Sequence, residues 1–182
     1  MKINALHDLY VEELRDIYNA ETQLVKALPK VAQAATSDEL RSAVEDHLEQ
    51  TKEQIERLDQ IFESLGVPSK GKKCKAMEGL LEECSELLEE DIAESVLDAA
   101  LIGAAQRVEH YEIAVYGTLA TFAKLLGREE DADLLGQTLD EEKEADEMLT
   151  DIAESTINAE ASEAKESEEE EATPSKKSKG NR

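Results

Sequence analysis

Along the first stretch of the chain the apolar residues fall three and four apart. Leu6, Tyr10, Leu14, Ile17, Leu24 and Leu28 share one stripe, and that spacing marks one face of an α-helix. The pattern predicts a helix from about Ala5 to Ala35, with a kink or a frayed last turn at Pro29, which has no N–H to donate. A turn follows at Thr36-Ser37-Asp38-Glu39, where Thr36 and Glu39 fit a capping box. A second helix then runs to about Leu65, with Leu40, Val44, His47, Leu48, Thr51, Ile55, Leu58 and Phe62 facing inward. Gly66 and Pro68 stop it.

Residues 66 to 90 begin as a basic loop, VPSKGKKCK, and continue as AMEGLLEECSELLEE, which has the period of a short amphipathic helix. A third long helix is predicted from about Ile92 to Leu126, ended by Gly127. Its inner stripe is Leu97, Leu101, Ala105, Val108, Glu112, Val115 and Leu119, with Glu109 and Tyr116 on the flank. A fourth runs from about Glu129 to Asn158 and turns Leu135, Thr138, Glu142, Ala145, Leu149 and Ile152 inward. Two long hairpins joined by one crossover that carries a short helix define an all-α fold, an antiparallel four-helix bundle of ferritin-like connectivity. A plain up-down-up-down bundle would need only a short loop there.

The bundle is expected over residues 1–158. From Ala159 the periodicity stops, and residues 159–182 are low-complexity, acidic first and basic at the end, so a disordered charged tail is expected. Composition agrees with helices: Leu, Ala and Glu lose little on entering one, aromatics make up 3% of the chain, and there is no Trp. The formal net charge of −24 argues against a general basic surface for nucleic acid, since phosphates would be repelled. No direct nucleic-acid contact is expected. No apolar run reaches the roughly 18 residues of a membrane span or forms a signal peptide, so no membrane contact and a cytoplasmic location are expected. Cys74 and Cys84, ten apart, match neither a disulfide framework nor a zinc pattern, and two reduced thiols are expected.

Charged residues inside apolar stripes are the informative positions, because an unpaired buried charge is expensive. Glu21 lies between Ile17 and Leu24. His47 lies between Val44 and Thr51. Glu112 stands inside the third long helix with Glu109 one turn earlier, and Glu142 stands inside the fourth with Asp146 one turn later. Carboxylates meeting in one core repel each other unless they protonate or a cation joins them. Oxygen-rich sites with an imidazole favour iron or manganese over zinc. A metal site at Glu21, His47, Glu109, Glu112, Glu142 and Asp146 is therefore the leading expectation, with iron as a di-iron centre first and manganese second. Glu109 and Glu142 are the candidates to bridge. Taken singly, Glu112 or Asp146 also reads as a flank residue paired with Lys or Arg, and His47 as a hydrogen-bonded core histidine. Tyr18 and Tyr116 lie near these layers, as core packing or as partners of a ligand. His7 and His110 read as surface residues.

The stretches LYVEELRDIYNAETQLVKALPK, HLEQTKEQIERLDQIF, AAQRVEHYEIAVYGTL and LDEEKEADEMLTDIA resemble the YciF/YciE-like family of stress-associated proteins. The resemblance covers about residues 3 to 157, and AQRVEHYEIAVYGTL is its most specific part. It implies a ferritin- and rubrerythrin-like fold, a homodimer and a metal site in the bundle. The general ferritin-like pattern has a Glu on helices one and three and Glu-x-x-His on helices two and four. Glu21, Glu109 and Glu142 match it. Position 145 is Ala where that pattern has its second histidine, with Asp146 the nearest substitute. Val44 stands where the glutamate preceding His47 belongs, and Glu112 is positioned to supply the lost carboxylate. The resemblance thus implies a stress protein with a carboxylate-rich, differently tuned two-metal site, possible di-iron chemistry on O2 or peroxide included. The alternative is a metal-free helical dimer with a structural or interaction role.

Overall fold

The computed structural model describes residues 3–163. Helix α1 spans Leu6–Ala34 and α2 spans Asp38–Leu65. The short α3 covers Lys75–Glu89, α4 covers Glu94–Leu125 and α5 covers Glu129–Ile152. The chain then makes a π-helical turn, Ala153–Ile157, and stays helical to Glu163. Helix α1 packs along α2 and α4 along α5, as two antiparallel hairpins. The hairpins meet through α1 against α4 and α2 against α5, and α3 covers α1 and α4 from outside. This is the all-α ferritin-like bundle with one crossover.

Local chemistry sets the helix ends. At Gly66 (φ 65°) the Gly66 N–H donates to the Glu63 carbonyl and Val67 N–H to that of Phe62. At Gly127 (φ 70°) Gly127 N–H reaches Lys124 and Arg128 N–H reaches Ala123. These paired reversed bonds close the last carbonyls of α2 and α4, and they need a left-handed residue, which glycine supplies without a Cβ clash. Helix α5 opens with Glu129, Glu130 and Asp131 in its first turn, where negative charge offsets the positive end of the helix dipole.

The core runs the length of the bundle through Tyr10, Leu14, Ile17, Leu40, Leu58, Leu101, Leu119 and Leu135, all at most 1% exposed. Burial of this kind stabilises by about 25 cal/mol per Å2 of apolar surface.

Several expectations change in detail. The expected capping box at Thr36 and Glu39 is absent: Ser37 is the N-cap, its hydroxyl accepting from Leu40 N–H at 3.3 Å. Thr36 is instead held by Asp98 of α4. That buried carboxylate accepts from Thr36 N–H (2.9 Å), Thr36 hydroxyl (2.6 Å) and Ser37 N–H (2.7 Å), so a residue 62 positions beyond Thr36 outcompetes the local box. Pro29 neither stops nor frays α1, which continues to Ala34 with the ring facing solvent. The inward face of α4 is rotated from the expected stripe: Glu109 and Tyr116 are buried, while Leu97, Ala105 and Val115 are only half-buried. Helix α4 is apolar on several sides because it is covered by α1, α3 and α5 together, so one stripe could not be read from its period alone. Residues 159–163, expected in the tail, are helical, and the remainder of that tail lies outside the described residues.

Candidate metal centre

Four helices each send a polar side chain into the middle of the apolar core. Helix α1 contributes Glu21, α2 contributes His47 and Gln54, α4 contributes Glu109 and Glu112, and α5 contributes Glu142. Glu21, Gln54, Glu112 and Glu142 are fully buried, with Glu109 and His47 nearly so. Spacings of three and four keep each on the inward row while Ile17, Leu24, Leu58, Val108 and Leu135 seal the layers around them.

One ligand atom from each of His47, Glu109, Glu112 and Glu142 lies within 4.8 Å of the others. His47 Nε2 is 3.6 Å from Glu109 Oε1 and 3.9 Å from Glu142 Oε2. Glu21 adjoins the same group, beside Glu112 and Glu142. Five of the six expected site residues therefore converge. Asp146, the sixth, sits at the edge of this group. Its Oδ2 lies 3.2 Å from His110 Nε2 and its Oδ1 accepts from Gln106 at 3.3 Å, and its charge is felt at Glu109. The imidazole of His110 on one side and the Gln106 amide on the other hold it toward the surface. His7 and His110 are exposed, as expected.

The electrostatics are those of crowded, dry carboxyl groups. Burial, and then the charge of Glu142, push Glu21 from its ordinary 4.5 up to about 8. Burial and Glu142 also hold Glu109 well above the carboxylate range, and burial and Glu21 do the same to Glu112. Glu109 lies beside Glu142, and Glu112 beside Glu21, close enough to share a proton. Apart from such sharing, Glu21 Oε2, Glu109 Oε2, Glu142 Oε2, both oxygens of Glu112 and both ring nitrogens of His47 find no hydrogen-bond partner among the described residues. Buried polar atoms are nearly always partnered, and each one left alone costs about 1–3 kcal/mol. The carboxylate oxygens among them, with one nitrogen of His47, gather in one cluster and fit a bound cation, whose charge removes the repulsion and whose coordination occupies the lone pairs.

Around this set stand hydrogen-bonding partners. Tyr116, one turn beyond Glu112, donates its hydroxyl to Glu21. Both of its expected roles are seen, since it is packed in the core and its hydroxyl partners a candidate ligand. Gln54 donates to Glu142 and, at 3.3 Å, to Glu141. Arg57 is buried, donating to Thr138 at 2.6 Å and to Glu141 at 2.7 Å, and its charge counteracts part of the rise at Glu21. Tyr18 packs edge-on against Phe62. Gln54, two turns after His47, is fully buried, whereas Ile55, expected to face inward, is half-buried. Cys74 and Cys84 are free and buried. Burial raises both thiols, and Cys74 serves as the N-cap of α3, its Sγ accepting from Met77 N–H.

A four-helix bundle with a buried carboxylate and imidazole cluster at mid-length is a protein of the ferritin-like class. The chain belongs to the DUF892 family, a domain of unknown function, whose pattern matches residues 5–162. It is 49% identical over 162 residues to Protein YciF of Escherichia coli K12, covering 88% of this chain and 98% of that one. The crystal structure of the E. coli stress protein YciF superposes with a TM-score of 0.83 at 50% identity, covering 86% of this chain and 99% of that one. YcfI of Rhodopseudomonas palustris superposes with a TM-score of 0.80 at 46% identity over 82% of this chain and 95% of its own. No helix among the described residues is long and apolar enough to cross a membrane.

Proposed function

We propose that this chain is a stress-response protein, like the E. coli stress protein YciF that it matches in sequence and fold, and that it holds a two-metal centre of iron or manganese at Glu21, His47, Glu109, Glu112 and Glu142. The observation that carries the reading is the gathering of unpartnered buried ligand atoms of Glu21, His47, Glu109, Glu112 and Glu142 from four helices. Glu142 is the hub, facing His47, Glu109 and Glu21 at once, and Glu112 stands beside Glu21 and Glu109, so these five residues would hold the metals between them.

A bound Fe(II) or Mn(II) pair would supply electrons for reducing O2 or peroxide. The residues of the chain do the rest. Tyr116 and Gln54 fix the orientation of Glu21 and Glu142, as outer hydrogen bonds do for metal-binding side chains. His47 must be neutral, and the glutamates ionised, to offer their lone pairs. Leu and Val side chains above and below exclude water and lower the local dielectric. A homodimer is the proposed assembly.

The rival reading is a metal-free helical dimer with a structural or interaction role, supported by the single histidine in the set. Anaerobic titration with Fe(II), followed by desalting and a metal count, separates the two. About two iron ions per chain are expected, falling in Glu21→Ala and Glu142→Ala. Less than about one per chain, unchanged in those variants, would sink the metal reading.

A further inference from the structure

Beside the cluster the bundle is not filled. A cavity of about 400 Å3 lies between the helices on the side of the Thr36 turn. Its origin is in the sequence. Ala27 of α1, Ala43 of α2, Ala104 and Ala105 of α4 and Ala145 of α5 all line it, so small side chains face one another where leucines would close the core. Ala145 lies one turn after Glu142. A ligand side chain at that position would occupy the space that Ala145 leaves.

The cavity has three zones. Its body is apolar, walled by residues such as Leu24, Leu28, Val31, Leu101, Val108 and Leu149. Its inner end is His47 and Glu109, two members of the cluster that are at least nine-tenths buried and carry unpartnered ring nitrogens and an unpartnered carboxylate oxygen. Its outer rim carries Asp46, Glu49, Glu53 and Glu144 from α2 and α5, with Met148 half exposed beside them. A largely apolar pocket of this size suits small apolar molecules. At roughly 30 Å3 per water-sized group it holds about a dozen non-hydrogen atoms. An anionic head would meet carboxylates at both ends.

We propose that the cavity binds an apolar molecule of about a dozen non-hydrogen atoms, uncharged or cationic at its head, and presents it to His47 and Glu109 as the substrate of the centre. The substrate role rests on the metal reading above; the binding does not.

The test uses the full chain, with and without Mn(II). Fluorescence of the neutral probe N-phenyl-1-naphthylamine is followed on titration, then in competition with dodecanol, dodecylamine and dodecanoate. One saturable site per chain is expected, emptied by dodecanol or dodecylamine at concentrations at least tenfold below those needed for dodecanoate. Ala105→Leu and Ala43→Leu, which fill the space from opposite walls, are expected to weaken probe binding at least tenfold while helical content and the Mn(II) count stay unchanged. No saturable site, equal competition by dodecanoate, or unaltered binding in both folded variants would overturn the proposal, whatever the metal count. A chain that takes up the probe but no metal would overturn the metal reading and the substrate role and leave the binding site standing.

Discussion

Replacing Glu112 by Met in the metal-free protein should make the fold more stable. Glu112 is fully buried, neither carboxylate oxygen has a donor, and Glu21, Glu142 and Glu109 crowd it. Methionine has nearly the same length and volume and adapts to irregular space. Exchanging buried charged groups for apolar ones of similar size commonly gains about 1–4 kcal/mol, and the relief of unpartnered atoms supports the same range. For a domain of this size each kcal/mol moves Tm by about 2–4 °C. The gain depends on pH in a definite direction. The Glu112 carboxyl binds its proton more tightly in the folded than in the unfolded chain, so it adds stability at low pH and loses it as pH rises. The advantage of Glu112→Met therefore grows from pH 5 to pH 8. Circular-dichroism melts and urea titrations of chelator-treated protein measure it. With saturating Mn(II) the order should reverse, because the wild type gains about 4.1 kcal/mol at a thousandfold excess over Kd and the variant has lost a ligand. A variant less stable than wild type without metal at pH 8 would refute the view that this residue is kept at a cost to the fold.

Other outcomes follow from the same structure. The metal-free wild type should lose stability as pH rises from about 4.5 to about 8, the interval over which folded Glu21 stays protonated and unfolded Glu21 does not; at 1.36 kcal/mol per unit this one group accounts for up to about 5 kcal/mol, read by urea denaturation at each pH. Asp98→Ala should cost about 2–4 kcal/mol, since it frees Thr36 N–H and Ser37 N–H in the α1–α2 turn, and amide exchange should quicken first at that turn. Tyr116→Phe should weaken metal affinity by about 10–100-fold by releasing Glu21, measured by competition with a chromophoric chelator.

Helices α1, α2 and α5 were legible because each carries one dominant inward row. Leu14, Ile17, Leu24 and Leu28 of α1 were read directly, and Gly66 and Gly127 marked two ends through the backbone conformation they alone adopt freely. The face of α4 was not legible to the residue, because packing against three helices makes several of its rows apolar. Glu21, His47, Glu109, Glu112 and Glu142 stood out because a charge in an apolar row has few cheap explanations. Asp146 satisfied the same spacing but sits at a row edge, within reach of His110, and spacing cannot separate an edge from a centre. Asp98, Gln54 and Arg57 were missed for a related reason: each is buried only because a partner from a distant helix receives it, and the sequence holds no local trace of Thr36 meeting Asp98 or Glu142 meeting Gln54.

The central claim is tested most directly by diffraction from crystals grown with Mn(II), measured at a wavelength where manganese scatters anomalously. The account predicts two peaks in the bundle core, enclosed by Glu21, His47, Glu109, Glu112 and Glu142, that vanish in Glu142→Ala. Peaks only at surface carboxylates, with the core carboxyls hydrogen-bonded to one another or to water, would contradict it.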